Sequence, residues 1–174
     1  MKKLVIILLF LSPYSYANDE YGCSIIEKSK VPYQKDGVNI SITVKIEGAS
    51  CDGSNITITV IHSDDKEVYS FVSEYSNLTQ LAGDSREPRE QARYFAKYLI
   101  NIKQFQSCSK MVPLSKLLLD TPFEYYFLAK EKIYNSFVGK ECVILTHPIR
   151  HESWRDVVII NDAQPAVILS EYGV

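Results

Sequence analysis

Two histidines four residues apart with a carboxylate beside them, His147, His151 and Glu152, are the side chains in this sequence best suited to chemistry. Imidazoles at that spacing could ligate zinc or pair as base and acid, and a loop following a strand suits either role. The spacing brings both rings onto one metal only on a helix, however. Pro148 between them opposes a helix, and the order is not that of the zinc-hydrolase HExxH signature. The segment 147–155 therefore reads as a polar surface loop between strands, with His147, Arg150, His151 and Arg155 available to touch a partner.

Other constellations carry less. His62 stands at the end of an expected strand before Asp64 and Asp65, where a histidine is normally just solvated. The stretch 48–53 resembles a nucleophile elbow only loosely, because its fifth position is Asp52 and no strand-to-helix turn is expected there. Acidic pairs such as Asp64 with Asp65 look like ordinary turn residues. Asn39, Asn55 and Asn77 open glycosylation sequons that matter only in a eukaryotic source. No catalytic, metal or cofactor motif stands out, and none of these groups is expected to be bound.

A second candidate surface is basic and aromatic. Arg89, Arg93 and Lys97 recur at i, i+4 and i+8 after Arg86, with Tyr94 and Tyr98 beside them. On a helix these cations form one stripe that could grip an anionic partner. Interleaved Glu87 and Glu90 also suit a plain solvated face. Tyrosine is in excess, at 12 of 174 residues, and amphipathic aromatics are enriched where proteins recognise one another.

These residues must be positioned by the surrounding elements. Residues 38–47 alternate strictly, Val38, Ile40, Ile42, Val44 and Ile46 against Asn39, Ser41, Thr43, Lys45 and Glu47, which is a half-buried strand. Residues 55–62 and 67–72 repeat the pattern after turn-rich breaks, giving an antiparallel meander. Pro88 opens a helix whose stripe Ala92, Phe95, Ala96, Leu99 and Ile102 extends to about residue 104. A short helix is expected over 113–119. A second main helix is expected from a capping box at 121–124 to Gly139, and its many aromatics should make it the most buried helix. Strands return at 142–146, 156–160 and 166–169, the last two as continuous apolar runs that suit strands covered on both faces. The expected fold class is α+β: a meander, a central helical segment with two main helices, and C-terminal strands.

The compartment follows from the beginning of the chain and its sulfurs. Lys2 and Lys3, an apolar run over 4–11 and Ala17 after Ser15 form a secretory signal peptide, 1–17, of bacterial type. One α+β domain, 18–174, is expected to follow. Subdomains 18–83 and 84–174, each with its own disulfide, are the alternative organisation. The apolar run is too short to span a bilayer, so no membrane insertion is expected. Removing the two leader lysines leaves 17 basic against 21 acidic side chains, a formal charge of −4, which disfavours nucleic acid as a partner. Four cysteines in an exported chain imply two disulfides; Cys23–Cys51 and Cys108–Cys142 are preferred because each then closes a loop of about thirty residues within one half of the chain.

A stapled domain without catalytic signatures reads as a recognition surface. The expectation is a periplasmic or secreted, non-enzymatic protein-binding domain, most naturally an inhibitor or immunity protein that blocks a toxic or cell-wall-degrading enzyme. The rivals are a small periplasmic hydrolase acting on peptidoglycan or peptide bonds, and an accessory subunit of an envelope or secretion assembly.

Overall fold

A computed structural model describes residues 22–32, 39–79, 85–101, 104–120, 125–127, 129–160 and 164–173. The signal peptide expected at 1–17 lies outside the described residues, as do the capping box at 121–124 and Ile102. The fold is α+β, with two antiparallel sheets. The first runs β1 (Cys23–Pro32), β2 (Asn39–Gly48), β3 (Asn55–Ile61) and β4 (Glu67–Glu74) in that order. The helix α1 (Pro88–Leu99) follows, then β5 (Phe105–Ser107), α2 (Leu114–Asp120), β6 (Tyr125–Phe127) and α3 (Glu131–Phe137). The chain closes with β7 (Cys142–Arg150), β8 (Ser153–Ile160) and β9 (Val167–Gly173), and the second sheet is ordered β5-β7-β8-β9-β6.

The alternation read from the sequence becomes the inner face of the first sheet. Ile40, Ile42, Val44, Ile46, Ile56, Ile58 and Val60 have no accessible surface, and each such burial contributes roughly 1.5–3 kcal/mol. The strand β1 was not legible as one. Its inward set mixes Ile25 and Val31 with Glu27 and Ser29, while Ile26 points outward at 53% exposure, so the period-two contrast is blurred.

One core joins the two sheets. It combines the meander's inner face with Ala92, Ala96 and Leu99 of α1 and with Val143, Leu145, Val157 and Ile159 of the second sheet. The opposite face of β7 and β8 supplies Cys142, Ile144 and Val158 to a smaller cluster with Leu114 of α2 and Tyr134 of α3. Covered on both faces, β7 and β8 have no use for alternating polarity, and their continuous apolar runs follow from that.

The expected second main helix is shorter than its sequence suggests. Residues 125–127 pair with β9 as a strand, Tyr125 opposite Tyr172 and Phe127 opposite Ser170, and only Glu131–Phe137 is helical before Gly139 ends the turn at φ 72°. Aromatic residues favour strands wherever a free ladder edge is at hand, and β9 offers one. Nor is α3 the most buried helix. Tyr134 is its buried residue while Ile133 is 43% exposed, and α1 buries four. The helix α1 begins at Pro88 as expected and stops at Leu99, short of residue 104.

Both disulfides form with the expected pairing, Cys23–Cys51 and Cys108–Cys142. Among the described residues no helix is long and apolar enough to cross a membrane.

Candidate functional site

The segment 147–155 is a hairpin rather than a polar loop, which corrects the expectation for half of its candidate residues. His147 and Pro148 belong to β7 and Arg155 to β8, and only His151 and Glu152 form the turn, Glu152 in the left-handed region at φ 57°. Pro148 is accommodated because β5 pairs only as far as Leu145, leaving β7 one ladder neighbour beyond that point. Gly173 lets the turn close. It pairs with Ser153, and a Cβ there would overlap the Glu152 carbonyl and come within 2.8 Å of the Ser153 Cα. Gly173→Ala is therefore expected to push the hairpin off β9, to destabilise the protein by about 1–3 kcal/mol in chemical denaturation, and to shift the emission of the adjacent Trp154.

His147 is 1% exposed and points between the sheets. Its Nδ1–H donates to the Pro148 carbonyl at 2.8 Å, so Nε2 is the acceptor for the Tyr69 hydroxyl at 2.6 Å. Phe71 packs on the same ring, centroids 4.8 Å apart. Arg155 donates through Nη1 to the Tyr69 oxygen at 3.4 Å and through Nε to Glu171 at 2.8 Å. Burial holds the imidazole down to about 4, helped by the Arg155 charge, and burial pushes the Tyr69 hydroxyl up. With both nitrogens committed and no route to solvent, His147 ties the two sheets together and cannot present a base to a substrate. Arg155 shares that role.

Tyr69 reaches His147 through a register shift. Between Val60 and Ile61 the β3–β4 ladder slips, so Tyr69 faces Val60 while Glu67 faces Ile61, and both Val68 and Tyr69 turn inward. Nothing in the local sequence marks that bulge, and the pair spans 78 residues.

A second buried cluster surrounds Asp156, which accepts from the Thr146 hydroxyl at 2.7 Å and the Ser170 hydroxyl at 3.0 Å. Burial raises its carboxyl above the ordinary value, opposed by hydrogen bonds from Thr146, Ser170 and Tyr172. These three hydroxyls satisfy the carboxylate where β7, β8 and β9 lie side by side.

Three of the remaining candidates, Tyr94, Arg150 and His151, converge. Tyr94 of α1 lines a groove of about 520 Å³ whose other wall carries Arg150 and His151 of the hairpin, together with Glu152 and Trp154. Tyr75 and Phe95 meet edge-to-face at 5.6 Å in its wall, and Phe95 stacks on Tyr98 at 6.4 Å. Arg86 lies over the Tyr94 ring at 4.0 Å. The hairpin tip is anchored beside the groove: the His151 backbone N–H donates to the Asn77 carbonyl at 2.7 Å. Beyond the tip, Arg150 and His151 also border a cleft of about 550 Å³ with Ser73, Ser76 and Asn77.

Arg89, Arg93 and Lys97 are exposed on α1 as expected, but helical periodicity turns them away from the groove that Gln91, Tyr94 and Tyr98 line. Sequence reasoning passed over Trp154. As the one tryptophan of the chain, three residues after His151, it was the available signal. Among the described residues no three His, Cys, Asp or Glu side chains are grouped to hold a metal. Comparison of the chain with protein-family models, curated proteins and solved structures finds no match.

Proposed function

We propose that this chain is an exported, disulfide-stapled domain that acts by binding another protein rather than by catalysis, and that it serves as an inhibitor or immunity protein against a toxic or cell-wall-degrading enzyme. The convergence of α1 and the β7–β8 hairpin on one aromatic and cationic groove carries this reading. Tyr, Trp and Arg are the residues that dominate binding hot spots, and here they sit on two rigid elements held by a common core. Two disulfides fit a periplasmic or secreted location, where thiols are oxidised. The hydrolase alternative needs an accessible histidine pair at 147 and 151, and the two rings lie apart, one inside the core and one at the turn.

Photo-crosslinking residues placed at Tyr94 and His151, with Val72 on the far face of the meander as control, test the proposal in the cell envelope. One partner is expected from the groove positions and none from the control. Tyr94→Ala is expected to weaken the purified complex by about tenfold or more. Equal adducts from all three positions would overturn the reading. So would turnover of peptidoglycan or peptide by the purified chain that disappears in His151→Ala.

A further inference from the structure

We infer that the free edge of β1 accepts an extended strand of a partner protein, one that sets carboxylates opposite Lys28 and Lys30, and so adds a fifth strand to the first sheet. This goes beyond the groove reading, since no β1 residue lines the groove. The first sheet has two edges, β1 and β4. That of β4 is engaged, because the Val68 carbonyl accepts the Ala166 N–H at 2.8 Å. The edge strands of the second sheet, β5 and β6, are three residues each. By contrast β1 runs ten residues, and its ladder with β2 holds one register from Cys23 to Pro32 without a bulge.

On an edge strand every second residue turns its N–H and C=O away from the sheet. Among the described residues, none of these β1 groups bonds outside the β2 ladder. The Cys23–Cys51 bond pins the start of the strand and the core holds Ile25 and Val31, so the edge is ordered before anything binds. The outward side chains say what the incoming strand must carry. Ser24, Ile26, Lys28 and Lys30 are exposed, and the two lysines face Thr43 and Ser41 across the ladder. Lys45, the next cation on this face, is taken by Glu47 at 2.7 Å. Lys28 and Lys30 meet no carboxylate among the described residues.

Edge lysines deter indiscriminate pairing, and here they deter a second copy of this chain. Two antiparallel registers keep each side chain on its own face and pair most of β1 with β1; they put Glu27 against Glu27 or Lys28 against Lys28. A foreign strand with Glu or Asp at the two outward positions and an apolar residue opposite Ile26 turns that deterrent into two cross-strand ion pairs.

The probe is a capped peptide, Val-Glu-Thr-Glu-Thr-Val-Ile, written to lie antiparallel with its glutamates opposite Lys30 and Lys28 and its second valine opposite Ile26. Added to the full chain, it is expected to slow amide exchange at alternate residues of β1 and to leave β4 unchanged. Its affinity should fall as salt is raised, and the same peptide with lysine for glutamate should not bind. N-methylation of every second residue should abolish binding in one phase and preserve it in the other. The variant K28E/K30E, checked for unchanged thermal unfolding, should bind the glutamate peptide about tenfold more weakly or worse, and should take the lysine peptide instead.

No slowing in β1 up to millimolar peptide overturns the inference. So do outward β1 amides already protected in the chain alone, a dimer of the chain that protects them without peptide, and binding that survives K28E/K30E or N-methylation in both phases. Cross-linking from Tyr94 and His151 decides the groove reading separately. Val72 remains a silent control there, because it lies three strands from Ile26 in the row Ile26, Lys45, Thr57 and Val72, about 14 Å across the sheet.

Discussion

Replacing His147 by glutamine is expected to remove about 3 kcal/mol of acid sensitivity from the fold. The imidazole titrates near 6.5 in the unfolded chain and is held down to about 4 between the sheets, and each unit of that difference is worth about 1.4 kcal/mol. The sign follows from which state takes the proton first. Between about pH 6.5 and 4 the unfolded chain binds a proton at His147 and the folded chain does not, so stability falls as pH is lowered. The contribution is fully present above the unfolded value, and the loss levels off at about 4, where the folded imidazole also charges. Protonation would force Nε2 to donate towards a hydroxyl that already receives an Arg155 N–H.

Other groups titrate nearby, and the comparison with the variant separates them. The carboxyl of Asp156 is raised by burial, so it acts in the opposite direction: the folded state holds that proton more tightly, and stability is gained as pH falls towards its titration. Glu171 stays paired with Arg155 in both proteins. Urea unfolding at about pH 7 and pH 4.5 should show wild type losing most of its His147 contribution and His147→Gln losing much less, although the variant is less stable at neutral pH by about 1–3 kcal/mol because the Tyr69 hydroxyl loses a well-aligned acceptor. Equal losses in the two proteins would mean that His147 is not the acid-labile joint.

What the sequence made legible was whatever depends on neighbours along the chain. The alternation at Ile40, Ile42, Val44 and Ile46, the proline start of α1 and the unbroken apolar runs of β8 and β9 each follow from burial on one or both faces, so they leave a local pattern. The disulfide pairing was readable because each bond spans a short loop in one half of the chain. The site was legible only in pieces. Tyr94 and the pair Arg150 and His151 were picked out as two unrelated surfaces, and nothing short of the tertiary packing brings α1 against the β7–β8 hairpin. His147 was misplaced for a related reason: a histidine beside Pro148 reads as loop when its real partner, Tyr69, lies 78 residues away and arrives through a bulge. The aromatics at 125–127 went wrong because a free edge of β9 outbids local helical spacing.

Removing either disulfide is expected to cost about 3–4 kcal/mol, and the two losses should differ in where they are felt. The bonds close loops of 28 and 34 residues, and chain entropy gives nearly the same stabilisation for both. Their surroundings are unlike. Cys23 and Cys51 tie the start of β1 to the β2–β3 turn within the large core that also holds α1 and the inner faces of β7 and β8. Cys108 and Cys142 belong to the smaller cluster that fixes α2 and α3 on the outer face of the second sheet. With fewer apolar neighbours to fall back on, that layer should open first in Cys108→Ala with Cys142→Ala. Amide exchange should speed up in α2 and α3 while the meander and the groove walls keep their protection, because the groove is built on α1, the 75–79 turn and the hairpin. Trp154 emission, which reports on the groove wall, should stay native-like in that variant below its unfolding midpoint. Uniform loss of protection across both sheets would show instead that the two clusters unfold as one cooperative body, with the shared strands β7 and β8 transmitting the opening of one face to the other.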